Sequence, residues 1–196
     1  MLATNYSLES ELLMKTNRVK QLIKKNQIAF GTYVSIADPR IVEVLGVAGF
    51  DAAFIDMEHS TFSLEQVENM IRACDVSGMT SLIRPPGNDP HLMLRLLDAG
   101  AQGMQIPHVC TKEDAIKARD ATRYAPLGNR GALSTSRAAD YGTTPWLNHI
   151  KSSNENVLLS LMIEDKEGLD NLEEIASVEG VDLIAMGPSD LSQSLG

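Results

Sequence analysis

The feature that most constrains this chain is a regular alternation between two hydrophobic periods. Short apolar, β-rich runs at residues 29–35, 51–56, 80–84, 103–107, 157–164 and 181–186 are separated by stretches with helical spacing. Ile41, Val42, Val44 and Leu45 follow Asp38-Pro39, and Leu64, Val67, Met70 and Ile71 follow Ser63. Leu92, Leu94, Leu96 and Leu97 follow Asp89-Pro90, and Ala115, Ile116 and Ala118 follow Thr111. Each helical stretch therefore opens on a capping residue, twice with Pro at the first helical position, and several close on Gly49, Gly78 or Gly100. Leu158-Leu159-Ser160-Leu161-Met162-Ile163 is almost continuously apolar, as a parallel strand buried on both faces must be. Strand and helix repeating at intervals of about 25 residues mark right-handed βαβ units.

Two architectures fit such repetition: an open doubly wound sheet and a (β/α)8 barrel. No strand runs into G-x-G-x-x-G and no Walker A loop is present, which removes the usual phosphate cradles of the first. Charged residues instead end successive runs, where a barrel places its chemistry. The predicted fold is an α/β TIM barrel, truncated after its sixth strand. The two missing βα units would add roughly 50–60 residues beyond Gly196. Residues 7–26 are polar and helix-prone, so residues 1–27 read as a helical extension and 28–196 as the barrel domain. One segment, residues 125–156, breaks the rhythm. It is rich in Gly, Ser, Thr, Asn and Arg, carries Trp146, and is expected to be a substrate- or subunit-facing loop with a short helix.

Composition narrows the function classes. The chain has 196 residues, which suits one domain, and a formal charge of −9. That acidic balance argues against nonspecific binding to nucleic acid or anionic membrane. No apolar run approaches the roughly 20 residues of a membrane span, and Asn5, Ser7, Glu9 and Glu11 do not make a secretory signal. Cys74 and Cys110 are too few for a disulfide framework or a zinc cluster. The expectation is a soluble cytoplasmic protein with a small-molecule substrate and neither a nucleic-acid nor a membrane partner.

Four strand ends carry the candidate chemistry: Ile55-Asp56-Met57-Glu58-His59, Ile83-Arg84-Pro85-Pro86, Met162-Ile163-Glu164-Asp165 and Met186-Gly187-Pro188-Ser189-Asp190. Singly, each acid is as well explained as a cap or ion-pair partner. Together they gather a histidine, an arginine and several carboxylates at one end of a barrel. Glu164 and Asp190, from consecutive strands, offer hard oxygen donors to a divalent cation; the plainer alternative is a hydrogen-bonded pair of loop acids. Arg84 presents a planar fork to a carboxylate or enolate oxygen, or else pairs with Glu58. His59 can carry a proton near neutral pH, or is a surface histidine. Asp98 could orient it, or caps its helix. Gly187-Pro188-Ser189 opens a helix whose N–H groups could hold a substrate carboxylate. Of the lysines, only Lys166 lies near a strand end, which disfavours Schiff-base chemistry and favours a metal.

These residues also carry a resemblance. Phe50-Asp51-x3-Ile55-Asp56-x-Glu58-His59, Arg84-Pro85, Leu96-Leu97-Asp98-x-Gly100, Arg123-Tyr124-x-Pro126-x-Gly128-x-Arg130-Gly131, Ile163-Glu164 and Gly187-Pro188-Ser189-Asp190-Leu191 resemble the HpcH/HpaI aldolase family from about Ile28 onward. The resemblance implies a (β/α)8 barrel and class II, metal-dependent cleavage of 4-hydroxy-2-oxo acids to pyruvate and an aldehyde. It implies Glu164 and Asp190 as ligands to Mg2+, Mn2+ or Co2+, and Arg84 as the stabiliser of the pyruvate enolate. His59 with Asp98 would be the acid/base dyad, Asp56 would support metal-bound waters, and the turn from Gly187 to Asp190 would take the pyruvate carboxylate. It also implies a homo-oligomer, a hexamer or trimer of dimers. Met162 departs from the family, which commonly has Gln there. Two other readings stand beside this one: a citrate-lyase-β-like lyase acting on CoA esters, and an inactive binding or assembly module that keeps the site by descent.

Overall fold

The computed structural model describes residues 16–196, so the part of the predicted helix-prone start at residues 7–15 lies outside the described residues. Six strands, β1 (Gly31–Val34), β2 (Ala52–Asp56), β3 (Thr80–Arg84), β4 (Gly103–Ile106), β5 (Leu158–Ile163) and β6 (Leu183–Met186), lie side by side in chain order. All five neighbouring pairs are parallel. A doubly wound sheet reverses its strand order partway; this one never does, and it curls as six strands of a TIM barrel.

The connecting helices begin and end where local chemistry dictates. Asp38 and Asp89 accept from the backbone N–H two residues on, with Pro at the first position of α2 (Pro39–Val47) and α4 (Pro90–Asp98). Ser63 and Thr111 form capping boxes with Gln66 and Asp114 at the heads of α3 (Leu64–Ser77) and α5 (Lys112–Thr122). Gly78 ends α3 in the left-handed region at φ 67°, which a side chain would resist.

Parity along the strands divides the apolar residues between two faces. Ala53, Ile55, Ile83, Met104, Ile106, Leu159, Leu161 and Ile163 turn outward into the main core with Val67, Met70, Ile71, Leu96 and Leu97 of the helices. Each fully buried aliphatic side chain of this kind contributes about 1.5–3 kcal/mol. Ala52, Phe54, Leu82, Leu158 and Leu183 face inward in a smaller cluster. The helix α1 (Arg18–Lys24) closes that cluster from below with Val19. It is tied to the amino ends of four strands: Val19 N–H donates to Thr80 Oγ1 (3.2 Å), Asn17 donates to Gln102 O (2.8 Å), and Arg18 and Lys20 pair with Asp51 and Asp182. In the described residues the predicted extension is thus a plug for the base of the barrel.

The long irregular segment contains a 3-10 turn (Arg137–Gly142) and an 11-residue helix, α6 (Trp146–Asn156). It does not face the carboxyl ends of the strands, as the substrate-facing expectation required. It follows α5, which runs down the outside of the sheet, and so it lies at the amino ends. Arg137 donates to Ala99 O (2.8 Å) ahead of β4, and Arg130 donates to Asp98 (2.8 Å) at the end of α4. The remaining helices are the short α7 (Lys166–Asp170) and α8 (Leu172–Ala176), and α9 (Pro188–Leu195) after β6. Among the described residues no helix is long and apolar enough to cross a membrane.

Candidate active site at the carboxyl ends of the strands

The inward parity that buries Ala52, Leu82 and Leu158 continues upward into Asp56, Arg84, Met162 and Glu164. β2 and β3 are in register with Asp56 opposite Arg84. Arg84 donates from Nε to Asp56 Oδ1 (2.9 Å) and from Nη2 to Oδ2 (2.8 Å), a two-pronged pair. Its guanidinium lies over the Tyr33 ring, 4.7 Å from the centroid, and Tyr33 in turn donates to Gln105 (2.6 Å). The remaining nitrogen, Nη1, meets only the Met162 sulfur at 3.9 Å, a weak acceptor. That donor is the one available to a substrate oxygen. Burial opposes the charges of this pair, but the contact outweighs it, holding the Asp56 carboxyl below the usual range and the guanidinium above its own.

Within the chain Asp56 positions Arg84 and the loop after β2. Both oxygens grip Arg84, and Oδ1 also accepts from the N–H groups of Glu58 (3.1 Å) and His59 (3.3 Å), shaping the loop after β2. Glu58 turns back into the site, with Oε2 3.2 Å from Arg84 Nε, and makes no hydrogen bond through that buried oxygen. Burial, helped by the charge of Glu164, pushes the Glu58 carboxyl up.

Glu164 is 1% exposed at the end of β5. Its Oε1 accepts from the backbone N–H of His108 (2.8 Å), a residue just past β4 that holds φ at +51°. The His108 ring sits with Nδ1 2.9 Å from Asp165 and Nε2 3.4 Å from Glu58 Oε1. The Asp165 contact raises its pKa above 6.5. Gly187 leaves room for Glu164: a Cβ there would lie 2.6 Å from Glu164 Cβ and collide with Oε2. Among the described residues, Glu58, His108 and Glu164 form the one group whose potential ligand atoms all lie within 4.8 Å of one another.

Not every predicted residue arrives here. Asp190 stands on the first turn of α9, outside that group, because its reach is set by the helix rather than by β6. Gly187 N–H donates to Ile163 O (3.0 Å) and Pro188 has none, so of the expected carboxylate cradle only the Ser189 and Asp190 N–H groups remain, at a helix start without a side-chain cap. His59 is exposed at the mouth, its Nε2 3.7 Å from Glu58. The structure does not bring Asp98 to it. Asp98 ends α4, and a helix that leaves the carboxyl end of β3 must finish at the amino end of β4. There it accepts from Arg130 Nη2 (2.8 Å). Lys166 pairs with Asp170 on its own helix. Burial pushes the Cys74 thiol up to about 12 and the Cys110 thiol up to about 11, so neither is a nucleophile near neutral pH. Tyr33, Gln105 and His108 were missed by sequence reasoning, although Gln105 interrupts an apolar strand and His108 follows a strand end like the other four.

The fold and the site define a βα-barrel enzyme with an acidic, arginine-bearing centre at the strand carboxyl ends. The chain belongs to the HpcH/HpaI aldolase/citrate lyase family, whose profile matches residues 29–196. It is 39% identical over 180 residues to the 5-keto-4-deoxy-D-glucarate aldolase of Escherichia fergusonii, covering 92% of this chain and 70% of that one. Its structure is similar to the HpcH/HpaI aldolase of Desulfitobacterium hafniense DCB-2, with TM-score 0.87, 28% identity and 92% and 70% of the two chains covered. It is also similar to the citrate synthase SbnG, with TM-score 0.83, 33% identity and 91% and 69% covered.

Proposed function

We propose that the chain is a divalent-metal-dependent aldolase that cleaves 4-hydroxy-2-oxo acids to pyruvate and an aldehyde. The observation that carries this reading is Arg84, fixed by Asp56 through Nε and Nη2 with Nη1 free of any carboxylate, facing buried Glu58 and Glu164. The buried oxygen of Glu58 without a hydrogen bond, beside the buried Glu164, fits a cation better than it fits two facing anions. Glu164, with Asp190 from α9, would hold Mg2+, Mn2+ or Co2+. The metal, when bound, supplies Lewis-acid polarisation of the 2-oxo group.

The chain's own residues account for the remaining steps. Ser189 and Asp190 N–H groups at the head of α9 orient the substrate carboxylate. His59 at the mouth takes the proton of the 4-hydroxyl as the C3–C4 bond breaks. The bonding pair becomes the pyruvate enolate, and Arg84 Nη1 is placed to stabilise its oxygen. Return of a proton to C3 gives pyruvate. Asp98, at the other end of the barrel, does not reach His59 within one chain. The runner-up, a lyase acting on CoA esters, is disfavoured by a carboxylate-rich mouth that repels the CoA phosphates. Relatives named for 5-keto-4-deoxy-D-glucarate make a sugar-acid aldol the first substrate to try.

The test is pyruvate release from 5-keto-4-deoxy-D-glucarate with Mn2+, with and without chelator, by wild type and Glu164→Gln. Expected is chelator-sensitive release that falls at least ~10²-fold in the variant. Release by a folded Glu164→Gln protein in the presence of chelator sinks the metal reading. No release by wild type from any 4-hydroxy-2-oxo acid favours the inactive module.

A further inference from the structure

We propose that Tyr33 is a positioning residue of this site: its ring holds the Arg84 guanidinium at the angle that aims Nη1 at the substrate oxygen. The inference rests on the aldolase reading above, in which Arg84 stabilises the enolate, and names what sets the direction of that donor.

The Asp56 fork fixes one edge of the guanidinium. Both hydrogen bonds leave from Nε and Nη2 (2.9 and 2.8 Å), and Glu58 Oε2, 3.2 Å from Nε, lies on the same edge. A planar group gripped along one edge still hinges about it, and the nitrogen that swings furthest is Nη1. The Met162 sulfur, 3.9 Å from Nη1, is too weak an acceptor to stop that swing. Contact with a face of the plane can stop it.

Tyr33 supplies that contact. Its ring centroid lies 4.7 Å from Arg84 Cζ, inside the range of about 6 Å in which an aromatic face attracts a guanidinium. The ring is itself fixed at two points. Its hydroxyl donates to Gln105 Oε1 (2.6 Å), and the Phe54 ring packs beside it with centroids 5.1 Å apart. Burial keeps the hydroxyl pKa above 10.0, so the group stays protonated and donates. In the sheet β2 and β3 separate β1 from β4, so the bond from Tyr33 to Gln105 crosses the concave face beneath Arg84. Phe54 in turn is seated by Gly31, where a Cβ would come within 2.6 Å of Phe54 Cε2. Support thus runs from β1 through two rings to the guanidinium.

The reaction is sensitive to this angle. As a proton leaves C3 of pyruvate, the C–H bonding pair shifts toward the 2-oxo oxygen, and a hydrogen bond from Nη1 gains most when that charge is greatest. A reacting group misplaced by about 1 Å can cost ~10²-fold. Loss of the ring should therefore lower kcat and leave KM nearly unchanged.

The experiment follows exchange of the pyruvate methyl protons with D2O by NMR, with Mn2+ that is chelated before each spectrum. The whole chain is compared as wild type, Tyr33→Phe, Tyr33→Leu, Arg84→Lys and the two double variants. In Tyr33→Leu the maximal exchange rate should fall roughly 10–100-fold, with the half-saturating pyruvate concentration within about threefold of wild type. Tyr33→Phe keeps the ring and should lose distinctly less. In the Arg84→Lys background, where no plane remains to be held, either change should cost about threefold or less. Should Tyr33→Leu fold poorly, Tyr33→Phe in the two backgrounds makes the same comparison. Equal fold losses in both backgrounds, equal losses for Phe and Leu, or a raised KM at unchanged kcat overturn the assignment. If Arg84→Lys slows exchange and Tyr33→Leu does not, the positioning role fails and the aldolase reading stands. If wild type catalyses no exchange, both fail.

Discussion

Arg84 and Arg130 are built from the same parts at opposite ends of the barrel. Each is buried, each pairs with an aspartate (Asp56 and Asp98), and each lies over a tyrosine, Tyr33 at 4.7 Å and Tyr124 at 4.5 Å from the ring centroid. Their surroundings differ. Around Arg84, the carboxylates of Asp56, Glu58, Glu164 and Asp165 share one guanidinium and two imidazoles, those of His59 and His108. Arg130 sits among Asp98, the Ser153 hydroxyl and the His149–Trp146 stack, with its charge matched once. The pair is the same device in both places, and what makes one end a site is the surplus of negative charge that only a cation or a charged substrate can relieve.

That contrast can be broken from either side. Arg84→Lys keeps the charge and loses the fork, so kcat/KM for pyruvate release should fall about 10²–10³-fold with little change in Tm. A variant of near wild-type rate would reduce Arg84 to a structural role like that of its counterpart. Arg130→Met should do the reverse. It strands Asp98 and lowers unfolding free energy by on the order of 3 kcal/mol, the low end for a broken buried pair because Asp98 keeps some water. Urea titration reads the loss, and a fall in turnover without a fall in stability would return the base, with Asp98, to the reaction.

Smaller changes sharpen the picture. Gly187→Ala pushes on Glu164 without touching the barrel base, so metal affinity should fall about tenfold while the unfolding midpoint holds. Unchanged affinity would mean Glu164 is not held where it needs to be. The smallest effect concerns His149, which burial and then the charge of Arg130 keep below its ordinary 6.5. Such a group binds fewer protons folded than unfolded. Stability therefore falls as pH drops through 6.5 and stops falling below the depressed folded value. His149→Gln should flatten that part of the stability–pH curve, and an unaltered curve would place the titrating group elsewhere.

Much of this was legible in advance because strands alternate. Once Asp56 and Arg84 are placed on inward positions, Met162 and Glu164 follow by parity, and parallel pairing brings their carboxyl ends together. His108, two residues past β4, lies outside the inward parity of Gly103 and Gln105, and its left-handed backbone turns it into the site instead, so alternation alone does not point to it. Asp98 stays apart from His59 within the chain for a separate reason. Its motif is distinctive, but a helix of nine residues carries it from one end of the barrel to the other.

The sequence by itself determined the βα rhythm, the helix boundaries and which strand ends bear charge, because capping, period and parity are local properties of neighbouring residues. Tertiary structure alone decided which charges meet. The register of β2 against β3 gave Arg84 to Asp56, the left-handed turn at His108 carried its ring to Asp165 and Glu58, and the course of the segment after α5 gave Asp98 to Arg130. Those partners lie between 28 and 57 residues apart, Asp56 and Arg84 being 28 apart and His108 and Asp165 57. At such separations packing and curvature of the sheet, rather than any local preference, set the distance between two side chains.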